Sequence, residues 1–231
     1  MMATVVIPTL NEEENIAKCL QSIRNQDYKN FEIIVADGGS TDKTVEIASK
    51  LADKVLFEAK RTIAAGRQKG ADEAKGEVIV FADADAFYPP NWLSSLLRHF
   101  DDETVASAHG KIYLAEATFA EKFFHKSANL FFKASNALGH PTGAGANLAV
   151  RKTHFHQVLG FDTDLVTGED VLLQKKLKKK GKIIFSDDSI AFVSARRVRK
   201  WGYAKFFLFH VKNWLLLARK KQPMREYEAV R

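Results

Sequence analysis

Two aspartates separated by one residue, Asp83-Ala84-Asp85, follow the apolar run Val78-Ile79-Val80-Phe81. In extended backbone, residues i and i+2 project to the same side, so both carboxylates can address one point. Hard oxygen donors at a strand end suit Mg2+ or Mn2+, ions that keep several waters and also take phosphate oxygens. Polar residues gather after two earlier strand-like runs as well: Thr9, Asn11 and Glu12 after the first, Asp37 to Asp42 after the second. Taken singly, such residues serve to make turns. Three clusters behind three strands point instead to one ligand edge.

The elements that must position them read as an alternation. Thr4–Pro8 is strand-like, and Asn11 is placed to cap a helix carrying Ile16, Cys19, Leu20 and Ile23 at i, i+3, i+4 and i+7. Phe31–Ala36 follows as a buried strand, then a turn, then a helix from Asp42 to about Leu51. Lys54–Glu58, Thr62–Ala74 and Glu77–Ala82 continue as strand, helix and strand. Strands joined by helices of this length imply right-handed crossovers and a mainly parallel sheet, with ligands beyond the carboxyl ends of its strands. Later segments are less regular. They comprise a helix near Asn91, a strand at Val105–Tyr113 and a helix at Phe119–Leu138. A glycine-rich loop at His140–Gly145 leads to a strand at Ala146–Val150. Then come a helix at Glu169–Lys180, short strands at Ile183–Phe185 and Ile190–Val193, and a last helix from Trp201 to Lys221.

The 231 residues include 35 Lys and Arg against 28 Asp and Glu, for a formal charge of +7. That excess favours an anionic partner: a phosphorylated small molecule, nucleic acid, or an acidic membrane surface. A single cysteine, Cys19, excludes an intrachain disulfide and fits a reducing compartment. No signal peptide and no apolar run long enough for a spanning helix is apparent, so a cytoplasmic location is expected.

The chain resembles the family 2 glycosyltransferases, which have the GT-A fold. The likeness rests on Val6-Ile7-Pro8-Thr9-Leu10-Asn11-Glu12, on Val35 through Asp42, on Asp83-Ala84-Asp85, on Gly143 through Lys152, and on Gly168-Glu169-Asp170. It covers residues 3 to about 195, with a nucleotide-sugar half to about 115 and an acceptor half from 116, and leaves 196–231 as a basic, aromatic helical extension. It implies transfer of a sugar from a nucleotide diphosphate sugar to an acceptor hydroxyl, with inversion. It further implies that Asp37 hydrogen-bonds the base, that Pro8, Thr9, Glu12 and Gly39 line the base and ribose region, and that Asp83 lies near the ribose and the metal. Asp85 would hold Mg2+ or Mn2+ against the diphosphate, and Arg67, in a variant of an A-R-N-x-G segment, would contact phosphate or base, with Arg61 a lesser candidate. Asp170 is implied as the base and Glu169 as its neighbour, while Gly145, Asn147 and Trp201 are expected to meet the acceptor. Phe161-Asp162 is expected to be structural.

Two departures stand out. Arg197-Val198-Arg199-Lys200-Trp201 replaces the Q-x-x-R-W of processive synthases, which argues against polymer synthesis. Ser194 and Ala195 occupy the place where some relatives carry a metal-binding His. The basic run Arg196, Arg197, Arg199 and Lys200 can serve a diphosphate or an acidic surface. Aromatic, cationic helices complete the pattern. One has Phe119, Phe123, Phe131 and Leu138 opposed by Lys122, Lys126 and Lys133. The other has Trp201, Ala204, Leu208, Val211, Leu215 and Ala218 opposed by Lys205, Lys212 and Arg219. Such helices suit either a membrane interface beside a lipid-linked acceptor or packing on core or a second subunit. Two rivals remain. A sugar-phosphate nucleotidyltransferase would need a glycine-rich loop after the first strand, and Thr9-Leu10-Asn11-Glu12 has no glycine. A non-catalytic binder of polyanions or membrane leaves the acid clusters unexplained. No G-x-G-x-x-G follows a strand, which disfavours a dinucleotide enzyme, and nucleic acid is disfavoured as a partner.

Overall fold

The computed structural model describes residues 1–115 and 117–218, without the side chains of residues 119, 120, 123, 124, 207, 214, 215, 217 and 218. The expectations on Phe119, Phe123, Leu215, Ala218, Arg219 and the end of the last helix therefore fall on side chains or residues outside the described ones.

Four parallel strands begin the fold: β1 (Ala3–Thr9), β2 (Phe31–Asp37), β3 (Lys54–Phe57) and β4 (Val78–Phe81), in the order β3-β2-β1-β4. Between them run α1 (Ile16–Arg24), α2 (Thr44–Leu51) and α3 (Ile63–Asp72). Most of β1 and all of β4 are buried, as expected of central strands covered on both faces. Their alternate residues sort into two cores. Ala3, Val5, Ile7, Val78 and Val80 face α1 residues Ile16 and Leu20, whereas Val6, Ile79 and Phe81 face α3 residues Ala64 and Ala71. In α3, Gly66 and Gly70 lie one turn apart against β1. A Cβ on Gly70 would stand 2.3 Å from a methyl of Val6. The missing side chains let this helix sit close on the sheet.

Beyond β4 the sheet becomes mixed. The chain adds β5 (Ala86–Phe87), α4 (Trp92–Leu97), β6 (Val105–Leu114), α5 (Phe119–Ala137), β7 (Leu148–Arg151), α6 (Lys152–Gln157), α7 (Glu169–Leu177), β8 (Lys182–Val193), α8 (Arg196–Trp201) and α9 (Tyr203–Ala218). β7 is antiparallel to both β4 and β6, β6 and β8 are parallel, and β5 is antiparallel to β8, closing an eight-stranded order β3-β2-β1-β4-β7-β6-β8-β5. The α/β architecture with flanking helices is as expected; the first half is wholly parallel, whereas the second half joins one parallel pair, β6 with β8, to antiparallel neighbours.

Three local expectations change. Asn11 does not cap α1, which begins at Ile16. Asn11 instead has φ 55° and its side-chain oxygen accepts from Thr41 N at 2.8 Å, pinning one loop to the next. The two short strands after 182 are one strand, because the pairing with β6 slips between Ser186 and Ile190 and resumes. The last helix is broken at Gly202, whose φ of 79° interrupts the hydrogen-bond ladder between α8 and α9.

Candidate active site

Acids from three distant segments meet at the carboxyl ends of β1, β2 and β4. The register pairs Thr9 with Asp37, and Thr9 Oγ1 donates to Asp37 Oδ1 at 3.1 Å. Asp37 Oδ2 also accepts from Gly39 N and Ser40 N at 2.8 Å, and Ser40 Oγ donates to Oδ1. This buried carboxylate is thus filled from within, and a nucleotide base would have to displace Ser40 to reach it. Beside it opens a cleft of about 220 Å3 lined by Pro8, Thr9, Glu12, Arg61, Asp83, Asp85, Arg196 and Arg197, among others. A larger cavity of about 590 Å3 lies by the starts of β6 and β8, lined by Lys178, Lys180 and Lys182 among others, and no acid among the described residues lines it. Chemistry rather than volume locates the site.

Asp83 and Asp85 stand where β4 ends. Burial, then the neighbouring Asp83 charge, push the Asp85 carboxyl up to about 6, against the opposing pull of Arg196. Arg196, from α8, reaches Asp85 Oδ2 at 3.1 Å and holds both oxygens of Glu12, with Nη1 to Oε2 at 3.0 Å. Two crowded hard-oxygen donors already drawing a cationic side chain are a fitting place for a divalent ion. Among the described residues no cluster of three or more His, Cys, Asp or Glu is arranged to hold a metal, so further ligands would come from phosphate and water.

Arg67 corrects the expectation of a phosphate or base contact. It is 3% exposed, and its Nη1 donates to Glu169 Oε1 at 2.6 Å while Nη2 donates to Asp83 Oδ1 at 2.7 Å. A guanidinium spent on two carboxylates has no open face for a phosphate. Burial works against its charge, but Asp83, Glu169 and Asp170 outweigh that and hold it firmly protonated.

Glu169 and Asp170 start α7 behind Gly168, which adopts φ 74°. Both carboxyls are raised: Glu169 by burial and then by Asp170, against Arg67, and Asp170 by burial, against Arg67 and two backbone donors. Those donors are Gly145 N at 2.8 Å and Val171 N at 2.7 Å. Glu169 is buried, whereas Asp170 is half-buried and so the more reachable of the two.

The acceptor candidates fare differently. Gly145 is buried, where a Cβ would stand 2.3 Å from Arg67 Nη1, so it serves the site through its N–H and its missing side chain. Asn147 is wholly buried. Its oxygen accepts from Trp92 Nε1 at 2.9 Å and Ser189 Oγ at 2.8 Å, and its nitrogen donates to the Lys111 carbonyl at 2.9 Å. With these bonds made it cannot touch an acceptor, and it ties the loop before β7 to β6 and β8. Trp201 is outside the cleft lining, packed edge-on against Phe209 at 5.3 Å. Tyr88 went unnoticed in the sequence. Its hydroxyl accepts from Asp83 N at 2.9 Å and donates to the Ala146 carbonyl at 3.0 Å, joining the acid pair to the 143–147 loop. Five residues beyond Asp83, it offered no periodic signal.

The model of "Glycosyl transferase family 2" matches residues 4–159, which include Glu12, Asp37, Asp83 and Asp85. The chain belongs to glycosyl transferase family 2. It is 29% identical over 205 residues to glycosyltransferase AglE of Haloferax volcanii, covering 84% of this chain and 67% of that protein. It is 28% identical over 208 residues to the dolichyl N-acetyl-alpha-D-glucosaminyl phosphate 3-beta-D-2,3-diacetamido-2,3-dideoxy-beta-D-glucuronosyltransferase of Methanococcus voltae, covering 81% and 64%. Among solved structures, the mannosyltransferase PcManGT of Pyrobaculum calidifontis, in complex with GDP-Man and Mn2+, superposes with a TM-score of 0.75 at 23% identity over 98% of this chain and 65% of that one. TarS of S. aureus with UDP-GlcNAc gives 0.69 at 22% over 84% and 58%. These relatives are longer: the chain spans about two thirds of their length or less.

Proposed function

We propose that the chain transfers a sugar from a nucleoside diphosphate sugar to an acceptor hydroxyl, with inversion at the anomeric carbon. The observation that carries this reading is the linkage of acids from remote segments: Arg67 bridges Asp83 to Glu169, the neighbour of Asp170, and Arg196 bridges Asp85 to Glu12, with Glu12, Asp83 and Asp85 lining one cleft. Pro8, Thr9 and Glu12 would border the nucleoside, and Asp170 would take the acceptor proton as the new bond forms, because a hydroxyl is a poor nucleophile at neutral pH. Asp85 and the second oxygen of Asp83 would hold Mg2+ or Mn2+, which when bound opposes the charge growing on the departing diphosphate.

The acceptor we favour is lipid-linked, met from the cytoplasmic face of a membrane. Supporting this, Leu130, Phe131 and Leu138 around α5 and Tyr203 and Leu208 on α9 are exposed beside the exposed lysines Lys126, Lys205 and Lys212, the mixture an anionic interface attracts. The dolichyl phosphate in the name of the Methanococcus relative points the same way. Among the described residues no helix is long and apolar enough to cross a membrane.

Thermal unfolding with UDP- and GDP-sugars, with and without Mn2+, tests the reading. A matching donor at about 100-fold its Kd should add about 2.7 kcal/mol of stability. Asp85→Ala should abolish the Mn2+-dependent part. No shift from any donor, or full transfer by Asp85→Ala with metal chelated, would refute it.

A further inference from the structure

Arg67 joins what the chain keeps far apart. Its Nη2 holds Asp83, on the nucleotide side of the cleft, at 2.7 Å, and its Nη1 holds Glu169, beside the acceptor-side acid Asp170, at 2.6 Å. The side chains of Arg67 and Glu169 are 4% and 8% exposed, so water screens this arm of the bridge little, while Asp83 at the other end is 34% exposed and open to a ligand. The surroundings are built around it. Gly66 and Gly70 bring α3 down onto β1, where a Cβ on Gly66 would lie 2.9 Å from Pro8, and the same turn carries Arg67 toward the end of β4. On the other side, the absent side chain of Gly145 makes room for the guanidinium, and Gly145 N in turn binds Asp170. Arg67 Nε is buried with no hydrogen-bond partner among the described atoms, so the guanidinium is held through its two terminal nitrogens.

We propose that Arg67 is a positioning residue that couples the two halves of the site, so that what engages Asp83 is felt at Glu169 and Asp170. A planar fork with two terminal nitrogens can hold two carboxylates at fixed separation, and a lysine ammonium cannot span them in the same way. Drawing Asp83 toward a nucleotide ligand changes how the guanidinium is shared, and the share left for Glu169 sets where the adjoining Asp170 is held. The inference rests on the glycosyltransferase reading. It adds that the arginine works through carboxylates rather than on the donor.

The test is a thermodynamic cycle of Asp83→Asn and Glu169→Gln, built with Arg67 and again with Arg67→Met. The affinity for UDP and for GDP, each with Mn2+, is measured by calorimetry. With Arg67 present, Glu169→Gln should change nucleotide affinity about threefold or more although Glu169 lies across the guanidinium, and the two changes should depart from additivity by about fivefold or more. With Arg67→Met the same Glu169→Gln effect should vanish and the cycle become additive. An equal Glu169→Gln effect in both backgrounds, or additivity in both, overturns the proposal. Because Arg67→Met strands two carboxylates, Arg67→Lys provides a second measure. Its nucleotide affinity should stay within about twofold while transfer at saturation falls about tenfold or more, since the charge remains but the span is lost. The opposite split, with affinity lost and saturated transfer kept, would make Arg67 a direct donor ligand and overturn the proposal. The same cycle read on the urea midpoint requires no ligand. If neither nucleotide bound the unaltered chain, the donor reading would fall while the coupling was still decided.

Discussion

Arg196 stands 3.1 Å from the carboxylate of Asp85, a cationic side chain resting on the acid we propose as a ligand of the divalent cation. The same guanidinium grips Glu12, which also lines the cleft. Replacing it changes what Asp85 is free to bind. For Arg196→Gln, Mn2+ affinity of the chain alone should rise about two- to fivefold, the worth of a partly exposed ion pair. Titration followed by Mn2+ EPR reads this directly. A fall in affinity would mean that Arg196 orients Asp85 for the metal and does not compete with it.

Asp170→Asn separates chemistry from binding. Transfer at saturation should drop about 10²- to 10⁴-fold, the usual contribution of a positioned base, with UDP or GDP affinity nearly unchanged. Steady-state kinetics alongside calorimetry will show it. Retained transfer would move the base elsewhere, with Glu169 the first candidate.

The raised carboxyls of Glu169 and Asp170 predict a pH dependence of definite sign. A base must be ionised, so transfer should climb with pH along an acid limb lying above the usual carboxylate value of about 4, and be lost as pH falls through it. Stability runs the other way. Groups whose folded pKa exceeds the unfolded one bind more protons when folded, so their contribution is fully present below the unfolded value and disappears as pH rises through the folded one. A transfer profile paired with urea midpoints across the same range checks both signs. A limb at or below about pH 4 would remove the pair from the base role.

Asn147→Ala should behave as a stability variant. It leaves Trp92 Nε1 and Ser189 Oγ without their shared acceptor. The cost should be about 1–3 kcal/mol, read as a lower urea midpoint, with acceptor KM little changed in the folded fraction. A selective rise in acceptor KM would restore the contact expected from the sequence.

Gly70→Ala tests how α3 is seated. The new methyl would meet Val6 at 2.3 Å. Overpacking should cost about 1–3 kcal/mol, partly offset by the better helix propensity of alanine. A neutral or stabilising result in urea denaturation would show that α3 has room to lift from β1.

Much of the fold was legible because its signals are local. Strand-like runs such as Val78–Phe81, the helical spacing of Ile16, Cys19, Leu20 and Ile23, and the turn after Asp37 each declare themselves within a few residues. The crossover rule then assembles the parallel half. The later half was harder to read. β7 and β8 find partners by closing a mixed sheet, a non-local outcome, and the slip between Ser186 and Ile190 made one strand look like two. Gly202 as the break between α8 and α9 was there to be read but was hidden by an apolar repeat running across it.

By itself the sequence determined which acids could act and where each sits on its own element, since an i, i+2 pair after a strand or an acid pair opening a helix is a matter of backbone period. Only the tertiary structure decided their company. Arg67 turns inward to Asp83 and Glu169, Asn147 is sealed beneath Trp92, and Arg196 folds back onto Glu12 and Asp85. The physical reason is that a charged or amide side chain goes wherever burial is matched by partners, and those partners come from segments remote in the chain.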